Sequence, residues 1–123
     1  MRHFGEATGI AVDMRLKLNR RLSRLVMEHS LHIVKEGFTN IAKHARASSV
    51  QLALTDGNGS LQIEITDNGR GFNTADIGKD AGHYGLLGIQ ERARLMGGEM
   101  AVSSTGKGTA MTVTIPLNES ENP

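Results

Sequence analysis

The stretch HIVKEGFTNIAKHA, residues 32–45, carries both faces of an amphipathic helix. Apolar side chains recur at spacings of three and four, which predicts one buried stripe on a helix of about 18 residues. The members of this stripe are Met27, Leu31, Val34, Phe38, Ile41 and Ala45. At about 100° per residue, the opposite face carries Glu36, Asn40 and Lys43, with His44 beside them.

Those polar residues have two explanations. A solvated helix face is the ordinary one, and it is our interpretation of His29 and His32 on the same side. Glu36 and Asn40, however, place a carboxylate and an amide oxygen one turn apart, and such oxygens are hard ligands suited to Mg²⁺. A neighbouring lysine suits a phosphate. The helix therefore predicts a candidate site for a metal–phosphate ligand.

Strand patterns lie on both sides of this helix. Residues 8–16 alternate apolar and polar side chains, as in a half-buried strand, and residues 49–56 and 61–66 form a hairpin through the turn DGNGS. A second helix spans Leu86 to Met96 and ends at Gly97-Gly98. Two further strands follow at residues 99–103 and 109–116. The order predicts an α+β fold, a two-layer α/β sandwich with a mostly antiparallel sheet and helices packed on one face.

Composition narrows the class of protein. The chain has 123 residues, 38% hydrophobic, with no cysteine and a net charge of +1. We predict one domain over residues 1–123, with a core at about 8–116 and a frayed tail at 117–123. Disulfides and thiolate metal sites are excluded, and no apolar run reaches the roughly 18 residues of a membrane span. We therefore expect a cytoplasmic domain without membrane insertion.

Charge and aromatic content bear on partners. Residues 1–47 hold nine Lys/Arg against four Asp/Glu, and residues 48–123 hold five against nine. The basic half predicts contact with phosphates or with an acidic partner. Aromatic residues make up only 3% of the chain, so no stacking platform for single-stranded nucleic acid is expected.

Glycines concentrate in three polar segments that follow or precede predicted elements. DNGRGF, residues 67–72, follows a strand; Asp67 there can accept a hydrogen bond from an exocyclic amine such as adenine N6, although an Asp-Asn-Gly turn is the simpler interpretation. GHYGLLG, residues 82–88, lies at the start of the second helix. It is interpreted either as an anion-binding site or only as a helix cap. GKGT, residues 106–109, is a hairpin turn whose threonine could support a ligand. Residues 73–84 predict a mobile lid.

Together and in this order, the segments resemble the GHKL (Bergerat-fold) ATP-binding family, named for gyrase, Hsp90, histidine kinases and MutL. Residues 32–45 resemble its N box, residues 67–72 its first glycine box, GLLGIQERARLMGG at 85–98 its second, and GKGTAMTVTIP at 106–116 its closing strand. Within the family, the sequence is most similar to sensor histidine kinases of the nitrate/nitrite-sensor and desaturase-regulator type.

The resemblance implies ATP and Mg²⁺ as ligands. It assigns metal coordination to Asn40, adenine binding to Asp67, and to Glu36 an organising role on metal-bound water or phosphate. The remaining nucleotide contacts that it implies come from Lys43, His44, Gly69, Gly71, Phe72, Gly85, Leu86, Gly88 and Thr109. Within that set, Lys43, His44 and the second-helix residues approach the phosphates, those of the first glycine box border the base and lid, and the threonine assists at adenine through water.

The activity that the resemblance implies is transfer of the ATP γ-phosphoryl group to a histidine on a separate dimerisation domain, with a response regulator downstream. An inner-membrane anchor in the parent protein, outside this domain, is compatible with this activity. No helix with a phosphoacceptor histidine beside an acidic residue precedes the N box, so we expect no self-phosphorylation. An anti-sigma-factor-type serine kinase and a nucleotide-binding regulatory module without transfer activity are the alternatives.

Overall fold

The computed structural model describes residues 9–44, 47–69, 84–105 and 107–117, and these form five strands and two helices. In chain order the elements are β1 (Ala11–Lys17), α1 (Arg24–His44), β2 (Ser49–Gly57), β3 (Ser60–Asp67), α2 (Tyr84–Leu95), β4 (Glu99–Thr105) and β5 (Gly108–Pro116). None of the helices in these ranges is both long and apolar enough to cross a membrane. Leu117, the first residue of the predicted frayed tail, is buried, and its amide donates to the Gly59 carbonyl at 2.7 Å, so this residue is not frayed. The rest of the tail, residues 118–123, lies outside the described residues.

One sheet joins all five strands in the order β1-β2-β3-β5-β4. The β1–β2 pair is parallel, with α1 as its crossover, and the other three pairs are antiparallel. Asn58 and Gly59 join β2 to β3 with positive φ values of 54° and 77°, the two-residue turn expected of a hairpin. The predicted fold class is confirmed.

Helix α1 begins at a serine cap. The Val26 amide donates to the Ser23 hydroxyl oxygen at 3.1 Å, which satisfies an amide that the first turn would otherwise leave unpaired. The helix therefore starts three residues before the predicted stripe. Its buried side chains are Val26, Ile33, Val34, Phe38 and Ile41.

The prediction was wrong for two residues of the stripe on α1. Met27 is 48% exposed and Leu31 is 64% exposed. The middle of the buried face instead holds the small residues Ser30 and Gly37, which have no large apolar side chain to mark them in the sequence. Their position turns the buried face by about 60° from the predicted one.

Strand β1 is less covered than its alternation predicted. Ile10, just before it, is buried, but Met14 is 42% exposed and Leu16 is 59% exposed. Both pair with β2 residues of the core face, Leu52 and Leu54. Among the described elements, α1 packs on α2 and, within the sheet, on β3, while α2 packs on β4 and β5, so edge strand β1 receives little cover.

Two glycines end helix α2 as predicted. Gly97 has a φ of 77°, and its amide donates to the Arg94 carbonyl at 3.0 Å. The Gly98 amide donates to the Ala93 carbonyl at 2.8 Å, which completes a Schellman motif. A Cβ on Gly98 would collide with the Thr114 carbonyl oxygen, so this end of α2 lies directly on β5.

Candidate functional site

The predicted site segments converge on one end of the sheet. Strand β3 ends at Asp67, which pairs with Thr109 at the start of β5. Helix α1 ends at His44, and the chain re-enters the sheet at Ser48, whose amide donates to the Asn68 side-chain oxygen at 2.9 Å. The C-terminus of α2 contacts Thr114, toward the other end of β5, so the α2 N-terminus is directed toward Thr109.

Asp67 is a buried carboxylate at this end, with 7% of its surface exposed. The Gly69 amide donates to Oδ1 at 2.7 Å, and Thr109 is the partner of Asp67 on β5. Burial raises the pKa of Asp67, while the backbone amides of Gly69 and Thr109 act in the opposite direction. A carboxylate has about four acceptor sites, so Asp67 can still accept a hydrogen bond from a ligand amine.

The start of β5 lies close against the backbone of Asp67. Gly108 has a φ of 142°, which L side chains rarely adopt, and a Cβ there would collide with the Asp67 carbonyl oxygen. The next residue, Thr109, is half-buried, and its hydroxyl lies 2.8 Å from the Ser104 hydroxyl. Gly108 therefore allows the close approach of β5 to the end of β3. From its sequence context, Gly108 is predicted only as part of a turn.

Glu36 and Asn40 are half-buried on the flank of α1. Between them, Gly37 faces β3: a Cβ there would lie 2.7 Å from Ile65 Cδ1. Ile65 precedes Asp67 by two residues on the same face of β3, a separation of about 6.6 Å. Asn40 is one turn beyond Glu36, toward the end of the sheet where Asp67 lies.

The donor set of α1 suits a magnesium ion only in part. Within the described ranges, no three His, Cys, Asp or Glu side chains cluster as a metal site. Mg²⁺ usually keeps several waters and is held by one or two protein oxygens together with substrate phosphates. Glu36 and Asn40 fit that pattern, in which the ligand supplies the missing donors.

The predicted phosphate contacts are described unevenly. Leu86 is buried and Gly88 is exposed, both in the first turns of α2. Lys43, His44 and Gly85 have helical backbone, but the Lys43 and His44 side chains are outside the described part of the chain. Gly71, Phe72 and residues 73–83 of the predicted lid also lie outside it, so these assignments remain predictions.

His29 was predicted to be a solvated residue of the helix face, and this prediction was wrong. It is half-buried, and its Nδ1 lies 2.9 Å from Arg92 Nη1 of α2. Because a guanidinium can only donate, Nδ1 accepts this hydrogen bond, and the interaction ties α1 to α2. His32 is exposed, as predicted.

The basic residues before α1 lie at the opposite end of the sheet. The Asn19 and Arg20 amides donate to the Asp56 carboxylate at 2.9 and 3.0 Å, and the Asn19 amide is the main cause that lowers the pKa of Asp56. Asp56 is near the end of β2, whereas Asp67 is opposite Val50 at its beginning. Arg20 is therefore not placed beside Asp67.

Comparisons with known proteins show which family this chain matches. Residues 27–119 match the family described as histidine kinase-, DNA gyrase B-, and HSP90-like ATPase. The chain is 40% identical over 119 residues to the sensor histidine kinase YdfH of Bacillus subtilis, covering 95% of this chain. It is 33% identical over 114 residues to the nitrate/nitrite sensor protein NarQ of Escherichia coli, covering 87% of this chain.

A solved structure is similar over nearly the whole chain. The histidine kinase domain from the blue-light activated histidine kinase EL346 of Erythrobacter litoralis gives a TM-score of 0.74 at 25% identity, covering 94% of this chain and 57% of that one. The chain spans only 29% of the length of the B. subtilis relative and 20% of that of the E. coli relative.

Proposed function

Because the chain belongs to the histidine kinase-, DNA gyrase B-, and HSP90-like ATPase family, we propose that it is the ATP-binding catalytic domain of a sensor histidine kinase. In this proposal it transfers the γ-phosphoryl group of ATP to a histidine on a separate dimerisation domain, and a response regulator then receives the phosphoryl group. The observation that carries the proposal is Asp67, a buried carboxylate at the end of β3 that accepts a hydrogen bond from the Gly69 amide.

Asp67 would select the base. Its free acceptor positions suit the exocyclic N6 amine of adenine, whereas guanine presents an acceptor oxygen at the corresponding place. Gly69 and Gly71 would border the base, with Phe72 at the end of the same segment. Thr109, whose hydroxyl contacts Ser104, would assist through water.

The phosphates would lie between α1 and the N-terminus of α2. Lys43 and His44 would approach them from α1, and Gly85, Leu86 and Gly88 from the amide-rich first turn of α2. Asn40 would ligate Mg²⁺ directly and Glu36 through a metal-bound water. When bound, the metal would neutralise charge on the phosphate oxygens.

The transfer step requires positioning more than covalent chemistry by this chain. A neutral imidazole nitrogen of the partner histidine attacks the γ-phosphorus, and the bond to the β–γ bridging oxygen breaks, so ADP leaves. The residues proposed here hold the nucleotide in line for that attack. The histidine itself comes from the partner domain.

A phosphotransfer assay in trans tests this proposal. The chain is mixed with γ-labelled ATP, Mg²⁺ and the histidine-containing dimerisation domain of its own parent kinase. We expect acid-labile, base-stable phosphate on that domain and none on the chain alone. Transfer to serine would instead support the serine-kinase alternative, and ATP binding without any labelled partner would support a regulatory module.

The Asn40→Ala variant provides the matched test of the metal site. Loss of a neutral oxygen ligand should lower the rate of transfer by at least about 100-fold, because both positioning and charge neutralisation depend on the metal. Thr39→Ala, which removes an exposed neighbouring hydroxyl bonded to the Lys35 carbonyl, should retain the rate. Equal rates in the two variants would remove Asn40 from the site.

A further inference from the structure

Asn68 connects the ends of two strands at the candidate base site. Its side-chain oxygen accepts from the Ser48 amide at 2.9 Å and from the Ser49 amide at 3.0 Å. Its side-chain nitrogen donates to the Ser48 hydroxyl at 2.9 Å, and its own amide donates to the Ser49 carbonyl at 3.3 Å. Both hydrogen-bonding ends of one amide side chain are therefore engaged at the start of β2, by its first residue, Ser49, and by Ser48 before it.

These bonds lie just where the regular ladder stops. The last pair between β2 and β3 is Val50 with Asp67, so Asn68 continues the connection one residue further through its side chain. On the opposite side of β2, the Ala11 amide donates to the Ser48 carbonyl at 3.0 Å. Ser48 is thus held from both sides and is a firm anchor for Asn68.

The position of Asn68 in the chain links this clamp to the base site. It lies between Asp67 and Gly69, and the Gly69 amide donates back to the Asp67 carboxylate at 2.7 Å. A turn closed by a single hydrogen bond can rotate or open unless its middle residue is fixed. Fixing Asn68 to β2 fixes the backbone on both sides of that bond.

We propose that Asn68 is a positioning residue for nucleotide selection, whose side chain clamps the Asp67–Gly69 turn to the start of β2. The inference rests on the proposed function, because it concerns how the base-selecting carboxylate is held. Asn68 itself makes no contact with the nucleotide in this account. Its side-chain oxygen already accepts from two amides, and its side-chain NH₂ group is oriented by its bond to the Ser48 hydroxyl.

Three variants distinguish a positioning role of Asn68 from a general contribution to the stability of the fold. Asn68→Ala removes the clamp. Asn68→Asp keeps an acceptor for the Ser48 and Ser49 amides, and the Ser48 hydroxyl can turn to donate to it. Ser48→Ala removes only the hydroxyl bond and leaves both backbone amides on Asn68 in place.

The first measurement is the affinity for ATP and for GTP by calorimetry. A displaced carboxylate should weaken ATP binding in Asn68→Ala by roughly 10- to 100-fold, since the loss of a hydrogen bond to a charged acceptor has an effect of that size. GTP binding, which does not use Asp67 as an acceptor, should change little. The single variants Asn68→Asp and Ser48→Ala should retain most of the wild-type ATP affinity.

The second measurement is amide hydrogen exchange without nucleotide. Asn68→Ala should speed exchange of the Gly69 amide by about tenfold or more while amides in the middle of β3, such as that of Ile63, keep their protection. Equal losses of ATP and GTP affinity, uniformly faster exchange, or wild-type behaviour of Asn68→Ala would each overturn the inference. If the wild type binds no ATP, the proposed function fails, while the exchange experiment still decides whether Asn68 holds the turn.

Discussion

Replacing Asp67 with asparagine is expected to weaken ATP binding by about 100-fold and to remove most of the preference for ATP over GTP. A hydrogen bond to a charged acceptor contributes about 1.5–3 kcal/mol, and a buried group left without its partner adds to the loss. The asparagine oxygen must still face the Gly69 amide, so its NH₂ group would meet adenine N6 as donor against donor. Calorimetric titration of the wild type and of Asp67→Asn with ATP and with GTP measures the effect.

Sites built around such a hydrogen bond can reject the wrong partner by about 10⁴-fold, so the wild type should discriminate strongly. Asn58→Asp, a change at the exposed turn between β2 and β3, is a control for altered charge far from Asp67 and should bind ATP like the wild type. Unchanged nucleotide preference in Asp67→Asn would contradict the assignment of the base to this carboxylate.

The same residue sets an expected pH dependence. Burial raises the pKa of Asp67, so as the pH falls this carboxylate takes up a proton at milder acidity than an ordinary aspartate. The affinity for ATP should fall through that range in the wild type and not in Asp67→Asn. The raised pKa also means that the contribution of Asp67 to stability is complete below its unfolded-state pKa and is lost as the pH rises through its folded-state pKa. At neutral pH the asparagine variant should therefore fold at least as stably as the wild type.

Replacing Gly108 with alanine is expected to lower the free energy of unfolding by about 2–4 kcal/mol and to abolish measurable ATP binding. Its φ of 142° is strained for any residue with a Cβ, which costs about 1–3 kcal/mol. The new Cβ would also collide with the Asp67 carbonyl oxygen, which is backbone and cannot rotate away. Relief of the collision would separate β5 from β3 where Asp67 pairs with Thr109.

Gly57→Ala is the matched control for this substitution. Gly57 also lies at a strand end, but a Cβ there would meet nothing within 4 Å, and its φ is not positive. Urea unfolding of the two variants compares them directly. If both lose the same small amount of stability and both bind ATP, the close approach at Gly108 does not support the site.

The sequence predicted most of the fold because its elements have strong local signals. The hairpin over residues 49–66 combined alternating strands with a turn that needs two positive φ values, and the structure has both. Helix α2 ended at its predicted glycine pair. The orientation of α1 was predicted less well, because Ser30 and Gly37 occupy its buried centre and carry no apolar signal.

The contacts that support the candidate site could not be predicted locally. Asn68 reaches Ser48 across 20 residues, and Arg92 reaches His29 across 63, so neither pairing leaves a trace in spacing. Gly108 was visible as a glycine before a strand, but its need for close approach comes from Asp67 on another strand. Chemical type identified the candidate ligands, while the residues that hold them depend on tertiary contacts.

The most direct test of an ATP site at the Asp67 end of the sheet is a titration of the ¹⁵N-labelled chain with Mg²⁺ and a non-hydrolysable ATP analogue. The measurement is the change in amide chemical shifts. We expect the largest changes at Asn40, Gly69 and Thr109, and none of that size with the GTP analogue. A cavity of about 260 Å³, lined in part by Asn58, Gly59 and Leu117, lies at the other end of the β2–β3 hairpin. Changes centred on that cavity, or no changes at all, would contradict an ATP site at the Asp67 end of the sheet.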